Sequence, residues 1–272
     1  MKKTLYLLFA VSITLFALSS AVMAGSSATT IYKWSQPIDQ IAGETHNGQP
    51  VYNGWDQPSW NPINLNPIYR QVADDWECND NRPVTDIHWW GSYVNWPAPT
   101  PMWRPRAFWF GMYTDVPAPA TGGGWSHPGD LIWQYTTPVN GYQEVFVGYD
   151  KDPRDGTIID STFQYNVVLP ETAWFRQDPT ANSIYWLSIV AIYSTAPEPF
   201  FWGWKTRPHY FQDDAVTLNT NGGWDRVGYI DTTNNFQSWD TAFELSTVPE
   251  PSSLLALGMG VVGLAGFIRR RM

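Results

Sequence analysis

The sequence has one cysteine, Cys78, among its 272 residues. A single thiol cannot close an intramolecular disulfide, so packing, with or without a bound ion, has to hold the fold together. We expect Cys78 to behave as a small buried hydrophobic residue rather than as a reactive thiol.

Basic residues are also scarce once the two terminal segments are set aside. Between residues 25 and 247 there are 11 basic and 24 acidic residues, which gives a net charge of about −13. A surface of this charge repels phosphate backbones and anionic lipid headgroups. The composition therefore excludes nucleic acid as a partner and limits membrane contact to the terminal segments.

Motifs for catalysis are missing. The sequence has no Gly-x-Ser-x-Gly elbow, no His-Glu-x-x-His pair and no glycine-rich phosphate loop. A glycoside hydrolase or lyase needs only two suitably spaced carboxylates, and 24 acids give that signal no specificity. We therefore expect a protein that is not an enzyme, with a carbohydrate-active enzyme as the lesser alternative.

Long helical periodicity is absent as well. Short apolar runs alternate with Gly, Pro, Asn and Asp, a pattern that is typical of many short strands. The predicted strands are 87–94, 107–113, 131–135, 144–149, 163–169, 184–193 and 241–245. Residues 184–193 are apolar on both faces, which indicates a central strand. The sequence predicts an all-β fold, an antiparallel β-sandwich or jelly roll of roughly eight to ten strands over residues 25–247.

The N-terminal segment has the pattern of a secretory signal peptide. Lys2 and Lys3 precede an apolar stretch from residue 5 to 22, and Ala24 follows with small residues at the cleavage positions. We expect signal peptidase to cut after Ala24 and remove residues 1–24. An uncleaved N-terminal anchor is the alternative.

The C-terminal segment, residues 248–272, has three parts. Pro249, Glu250 and Pro251 precede an apolar run over 254–268, and three arginines, 269–271, follow it. The prolines cannot continue a helix, and the arginines favour the cytoplasmic side. The run has 15 residues, fewer than the roughly 20 that span a bilayer comfortably. A transmembrane helix of this length is better suited to holding the chain in the membrane temporarily than permanently. An ordinary membrane anchor is the alternative.

This tail resembles the PEP-CTERM sorting signal of exopolysaccharide-producing Gram-negative bacteria. The resemblance implies an exosortase-type transpeptidase that cuts near the prolines. It also implies export to the cell envelope, the outer surface or the extracellular matrix. The middle of the chain resembles an uncharacterised β-rich domain of secreted bacterial proteins, through the segments 74–78, 84–91, 185–189, 202–205 and 213–216. That second resemblance implies no known active site.

Tryptophan is the most unusual component. All 17 tryptophans lie between Trp34 and Trp239. They either fill the core of a purely structural surface protein or, in part, form an exposed platform on which sugar rings stack. Adjacent residues of a strand point to opposite faces, so one of a neighbouring pair can be exposed. We predict an exopolysaccharide contact through Trp89, Trp90, Trp202 and Trp204.

Two groups of acids are candidate calcium sites. Asp150, Asp152 and Asp155 precede Gly156 between two predicted strands, close to the spacing of a calcium loop. Lys151 and Arg154 oppose a cation there, and a plain surface turn is the alternative. The pairs Asp74-Asp75 and Asp213-Asp214 could instead meet in space and hold an ion. No other cofactor is predicted.

Overall fold

The computed structural model describes residues 30–62, 70–78, 81–101, 103–121, 124–178, 184–195 and 199–247. The predicted cleavage site at Ala24, the sorting residues Pro249, Glu250 and Pro251 and the apolar run 254–268 lie outside these residues. Within the described ranges, no helix is long and apolar enough to cross a membrane.

The described residues form eighteen strands and one short 3₁₀ turn at Glu171–Ala173, with no α-helix. The strands are β1 (Ile31–Gln36), β2 (Asp39–His46), β3 (Gln49–Asn53), β4 (Asp56–Pro58), β5 (Trp60–Pro62), β6 (Val72–Glu77), β7 (Asp86–Tyr93), β8 (Ala107–Val116), β9 (His127–Thr136), β10 (Gln143–Lys151), β11 (Ile158–Val168), β12 (Ile184–Tyr193), β13 (Trp202–Pro208), β14 (Val216–Leu218), β15 (Trp224–Arg226), β16 (Gly228–Ile230), β17 (Phe236–Thr241) and β18 (Phe243–Thr247).

These strands form two mainly antiparallel sheets, which confirms the all-β prediction. The large sheet has the order β16-β17-β13-β7-β11-β10-β3-β2, with β1, β4 and β18 attached to it. The small sheet has the order β15-β14-β6-β12-β8-β9, with β5 beside β12. The strand count exceeds the predicted eight to ten, in part because five strands have only three residues, too few to produce a periodic signal.

One large hydrophobic core includes residues from both sheets, and most of its volume is aromatic. Trp89 in β7 stacks on Tyr165 in β11 with ring centroids 5.4 Å apart. The edge of the Trp89 ring also meets Phe108 of the small sheet at 5.0 Å. Large rings suit this position because two packed sheets lie roughly 10 Å apart. Cys78 is buried in the same core, as predicted.

The structure confirms that the predicted strand 184–193 is a central one. Strand β12, which matches the predicted 184–193, lies between β6 and β8 and is buried along almost its whole length. In β11, Phe163, Tyr165 and Val167 share one buried face, as the alternating sequence predicts. The hydrophobic pattern of these longer strands was therefore sufficient to locate the core.

One part of the large sheet curls into a closed ring of strands. Residues 51–53 of β3 pair with β10, whereas Asp56–Pro58 pair with β13. The ring is therefore β3/β4, β10, β11, β7 and β13, and it closes at Gly54. A Cβ atom on Gly54 would lie 2.4 Å from the carbonyl oxygen of Thr206, and the φ angle of +122° also favours glycine.

The first and last strands lie side by side. β1 pairs with β18 in an antiparallel register that places Ile31 opposite Thr247. β18 also pairs with β7, a central strand of the large sheet. The chain therefore enters and leaves the domain at neighbouring positions.

Candidate functional site

The four tryptophans predicted to bind sugar are buried. Trp89, Trp202 and Trp204 have no exposed surface, and Trp90 is 6% exposed. They belong to β7 and β13, which lie in the middle of the large sheet rather than at an edge. The prediction of a stacking platform at these positions is wrong, because a sugar ring cannot reach them.

The predicted calcium loop does not assemble either. Asp150 faces the interior and its Oδ1 lies 2.7 Å from Lys205 Nζ. Asp152 is paired with Arg154, whose Nε donates to it at 2.8 Å. Asp155 is exposed and accepts hydrogen bonds from the amide and hydroxyl two residues further on, which lower the pKa of its carboxyl. The three carboxylates have separate partners, so this segment is a turn between β10 and β11.

An open cleft with exposed aromatic side chains lies elsewhere, between β1 and the segment that follows β13. It has a volume of about 410 Å³. We call it the aromatic cleft, and its lining residues are Tyr32, Lys33, Trp34, Ser35, Tyr210 and Phe211. Among the described strands, β1 has one partner, β18.

The rings of the aromatic cleft meet edge to face. The centroids of Trp34 and Phe211 are 4.6 Å apart at an interplanar angle of 73°. Tyr210 meets the same Trp34 ring at 6.2 Å. Tyr32 and Tyr210 are 51% and 52% exposed, so each presents a large part of its ring to solvent. The cleft therefore combines a fixed aromatic floor with two accessible tyrosines.

Polar groups surround these rings. Ser35 Oγ donates to Glu244 at 2.5 Å, and the negative charge of Glu244 raises the pKa of Tyr32. The guanidinium of Arg207 lies 4.3 Å from the centre of the Tyr210 ring. Its Nη1 also donates to the carbonyl oxygen of Pro37. These groups can hydrogen-bond hydroxyls of a ligand that stacks on the tyrosines.

Asp240 holds the segment that carries Tyr210 and Phe211. Its Oδ2 accepts the backbone N–H groups of Tyr210 at 2.6 Å and Phe211 at 3.0 Å. Its Oδ1 lies 3.2 Å from His209 Nδ1. Asp240 is itself buried in β17, so it fixes the two aromatic residues to a strand of the large sheet.

A cluster of acids continues from Asp240 toward the small sheet. His209, Asp214 and Asp240 place one potential ligand atom each within 4.8 Å of one another. Val216 pairs with Ala73, and the charge of Asp213 acts on the buried Asp75. The structure thus brings the two acidic pairs of the sequence together.

Asp75 is the unusual member of this cluster. Within the described residues, neither of its carboxylate oxygens has a hydrogen-bond partner, although both are buried. Burial raises the pKa of Asp75 to about 9, and the charges of Asp213 and Asp240 add to the shift. Asp75 is therefore protonated at neutral pH.

His209, Asp214 and Asp240 have the donor types that hold a divalent cation. Two of them already have other partners. Asp214 pairs with Arg226 at 3.2 Å, and one oxygen of Asp240 is occupied by the two backbone amides. The direct structural effect of the cluster is to hold the chain beside the aromatic cleft.

Sequence reasoning did not find the aromatic cleft. Its two halves are about 180 residues apart in the chain, and long-range contacts such as the β1–β18 pairing, the Asp240 hydrogen bonds and the Arg207–Pro37 hydrogen bond bring them together. Two local features of the sequence mark the cleft. One is the aromatic pair Tyr210-Phe211 shortly after Pro208, and the other is Tyr32 near the start of the domain. Each of these signals is common in loops and edge strands.

Comparisons with known proteins identify two regions. Residues 32–246 match the profile of a domain of unknown function, DUF7901. Residues 247–271 match the PEP-CTERM protein-sorting motif, which confirms the predicted tail. No curated protein and no solved structure matches significantly. The motif marks an exported, exosortase-processed protein of the Gram-negative cell envelope. The chain therefore belongs to the DUF7901 family and carries a PEP-CTERM sorting tail.

Proposed function

We propose that this chain is a non-catalytic protein of the cell surface or extracellular matrix that binds an uncharged polysaccharide in the aromatic cleft. The observation that carries the proposal is the pair of half-exposed tyrosines beside the Trp34–Phe211 floor. Sugar rings have apolar C–H faces that pack on aromatic rings, and their hydroxyls need the polar groups that surround this cleft.

The size of the cleft fits a short stretch of a polymer. Ligand pockets usually have volumes of about 300–1,000 Å³, and the aromatic cleft lies near the lower end of that range. One such contact is weak by itself. Many copies of the protein on one polymer chain would bind with a much higher effective affinity.

The net charge of the domain disfavours binding of negatively charged polysaccharides. A net charge of about −13 between residues 25 and 247 repels polymers that are rich in carboxylate or sulfate groups. An uncharged glycan is therefore the favoured ligand.

A purely structural surface protein is the second candidate. It is favoured by the burial of Trp89, Trp90, Trp202 and Trp204, because the rings that we predicted to bind are used to build the core. In this case the exposed tyrosines have no ligand, and only the sorting tail determines where the domain is placed.

Affinity electrophoresis of the full chain tests the proposal. The gel contains either the uncharged extracellular polysaccharide of the host or an uncharged control glucan. We expect the double variant Tyr32→Ala/Tyr210→Ala to bind the host polymer at least roughly tenfold more weakly. Aromatic stacking on nucleic-acid bases contributes about 1–3 kcal/mol per ring, and we use that range as an analogy.

Trp103→Ala is the matched control, because Trp103 is 48% exposed but lies outside the cleft. Its retention should equal that of the unmodified protein. Equal retention of the double variant and the unmodified protein would rule out the aromatic cleft as the binding site. Absence of retention for all three proteins would favour the purely structural candidate.

A further inference from the structure

The closed ring of strands contains a buried lysine surrounded by acids. Lys205 on β13 has no exposed surface, and Asp150 on β10 is equally buried. Asp56 on β4 and Asp160 on β11 are also buried and interact electrostatically with both. We call these four residues the lysine cluster. A buried lysine facing three carboxylates is expensive to maintain, because every charge in it has lost its water.

The closest pair in the cluster is Lys205 and Asp150. Nζ of Lys205 lies 2.7 Å from Oδ1 of Asp150, but this contact does not have the angles of a hydrogen bond. Thr162 Oγ1 donates to the same oxygen. The other oxygen of Asp150 has no hydrogen-bond partner in the described part of the chain. The amine and the carboxyl carbon are thus held together without solvent between them.

Asp56 is placed to move a proton. It lies opposite Lys205 in the β4–β13 register, and its buried side chain interacts with that of Asp150. Burial, followed by the charge of Asp150, raises the pKa of Asp56 well above its usual range. Burial likewise raises the pKa of Asp160 to about 7. Burial therefore favours the protonated forms of Asp56 and Asp160.

We propose that Lys205 and Asp150 condense to an intramolecular isopeptide bond that ties β13 to β10. Within the buried ion pair a proton passes from the Lys205 ammonium to the Asp150 carboxylate, and the resulting uncharged amine attacks Cγ of the protonated carboxyl. An N–C bond forms and a C–O bond breaks. Asp56 takes a proton from the attacking nitrogen and gives a proton to the departing oxygen, which leaves as water. Nothing is oxidised or reduced, and Asp56 ends as it began.

Two physical factors favour this reaction in the ring. Positioned reactants react as if they were present at very high concentration. Lys205 and Asp150 are held in contact by strands of the closed ring. The product amide is neutral, so the reaction removes the desolvation penalty of two buried charges. The single cysteine leaves the exported domain with no intramolecular disulfide, and an isopeptide bond would supply a covalent cross-link of another kind.

The chain contains a matched pair that should not react. Lys151 Nζ and Glu44 Oε1 are also 2.7 Å apart, but their side chains are 33% and 30% exposed. Both groups are in contact with solvent there, so this pair lacks the desolvated environment of the lysine cluster. Only the buried pair should form an amide.

Peptide mass spectrometry of the full chain purified from its host tests the proposal. The protein is denatured and then digested with trypsin, which does not cut after an acylated lysine. We expect the bond after Lys205 to stay intact. We also expect a branched peptide that contains both Lys205 and Asp150 and is lighter, by one water, than its two linear parts. Cleavage after Lys151 should be normal.

Variants separate the reacting groups from the proton relay. Lys205→Met should abolish the branched peptide, and Asp56→Asn should lower the cross-linked fraction in freshly made protein at least severalfold while leaving both reacting residues present. Complete cleavage after Lys205 in the unmodified protein, with both linear peptides at full mass, would overturn the proposal. The measurement on the unmodified protein needs no variant to fold, and it is independent of polysaccharide binding.

Discussion

Trp202 and Trp103 have the same side chain in opposite environments. Trp202 has no exposed surface, and its ring meets Phe108 at a centroid distance of 5.0 Å. Trp103 lies in the proline-rich loop between β7 and β8 with about half of its surface in solvent. The amino-acid composition cannot distinguish these two environments. Replacing each tryptophan with alanine can, because the two changes should alter the free energy of unfolding by different amounts.

We expect Trp202→Ala to lower the free energy of unfolding by about 3–5 kcal/mol, because it removes a fully buried ring and leaves a cavity. Trp103→Ala should stay within about 0.5 kcal/mol of the unmodified protein. Urea denaturation, monitored by circular dichroism, measures the free energy of unfolding of both variants. A change of less than about 1 kcal/mol for Trp202→Ala would contradict its position in the core.

The carboxylate of Asp240 holds the backbone of Tyr210 and Phe211 to β17. We expect Asp240→Ala to release the backbone amides of Tyr210 and Phe211 and to speed their hydrogen exchange. Hydrogen bonds to charged groups contribute about 1.5–3 kcal/mol, so exchange should accelerate by roughly tenfold or more. Binding of polysaccharide in the aromatic cleft should weaken as well, since the segment no longer holds its rings in place.

Asp231→Ala is the matched control for this prediction. Asp231 accepts two backbone N–H groups of its own loop, at 2.8 and 2.9 Å, but it is only partly buried and does not line the cleft. Its loss should affect only residues 231–235. If Asp240→Ala left the exchange of Tyr210 and Phe211 unchanged, the contacts of Asp240 would not be what holds this segment.

At the level of elements, the sequence predicted long strands better than short ones. Seven runs were predicted, and all of them lie in β7 to β12 or in the final pair β17 and β18. Strands such as β4 and β5 were missed because three residues give no alternation to detect. Their positions depend on partners that are distant in sequence, such as β13 for β4.

The candidate sites show the same limit. The acidic pairs at 74–75 and 213–214 were recognised from composition, but the contribution of Asp240 and His209 depends on strand order. The loop around Asp152 has the spacing of a cation site, yet Arg154 and Lys205 neutralise its acids. Spacing along the chain does not reveal a counter-ion supplied by another strand.

The whole domain contains several buried carboxyls whose pKa is raised, mainly by burial. They are Asp56, Asp74, Asp75, Asp160 and Asp240. In the folded protein these groups keep their protons to a higher pH than in the unfolded chain, where they titrate near pH 4. Between about pH 4 and the raised pKa values, the folded state binds more protons.

The free energy of unfolding should therefore fall as the pH rises from about 5 to 9. The contribution of Asp160 is lost as pH passes about 7, and that of Asp75 as pH passes about 9. Each proton contributes a slope of at most about 1.4 kcal/mol per pH unit. The midpoint of urea unfolding, measured at pH 5, 7 and 9, tests this prediction.

Asp75→Asn should make the decline between pH 7 and 9 shallower, since the amide cannot titrate. Asp225→Asn, which changes an exposed carboxylate outside the cluster, should leave the slope unchanged. A midpoint that rises from pH 5 to 9 would contradict the raised pKa values as a group.

The pairing of β1 with β18 sets a sequence of events during export. The first strand of the domain, β1, and the central strand β7 both pair with β18, the last strand of the domain. The sorting motif begins at residue 247, where β18 ends. We therefore expect the large sheet to close only after β18 has been exported, when the tail follows directly behind it. Completion of the fold and presentation of the tail to the exosortase should then occur at the same stage, with the polypeptide still attached while β18 pairs.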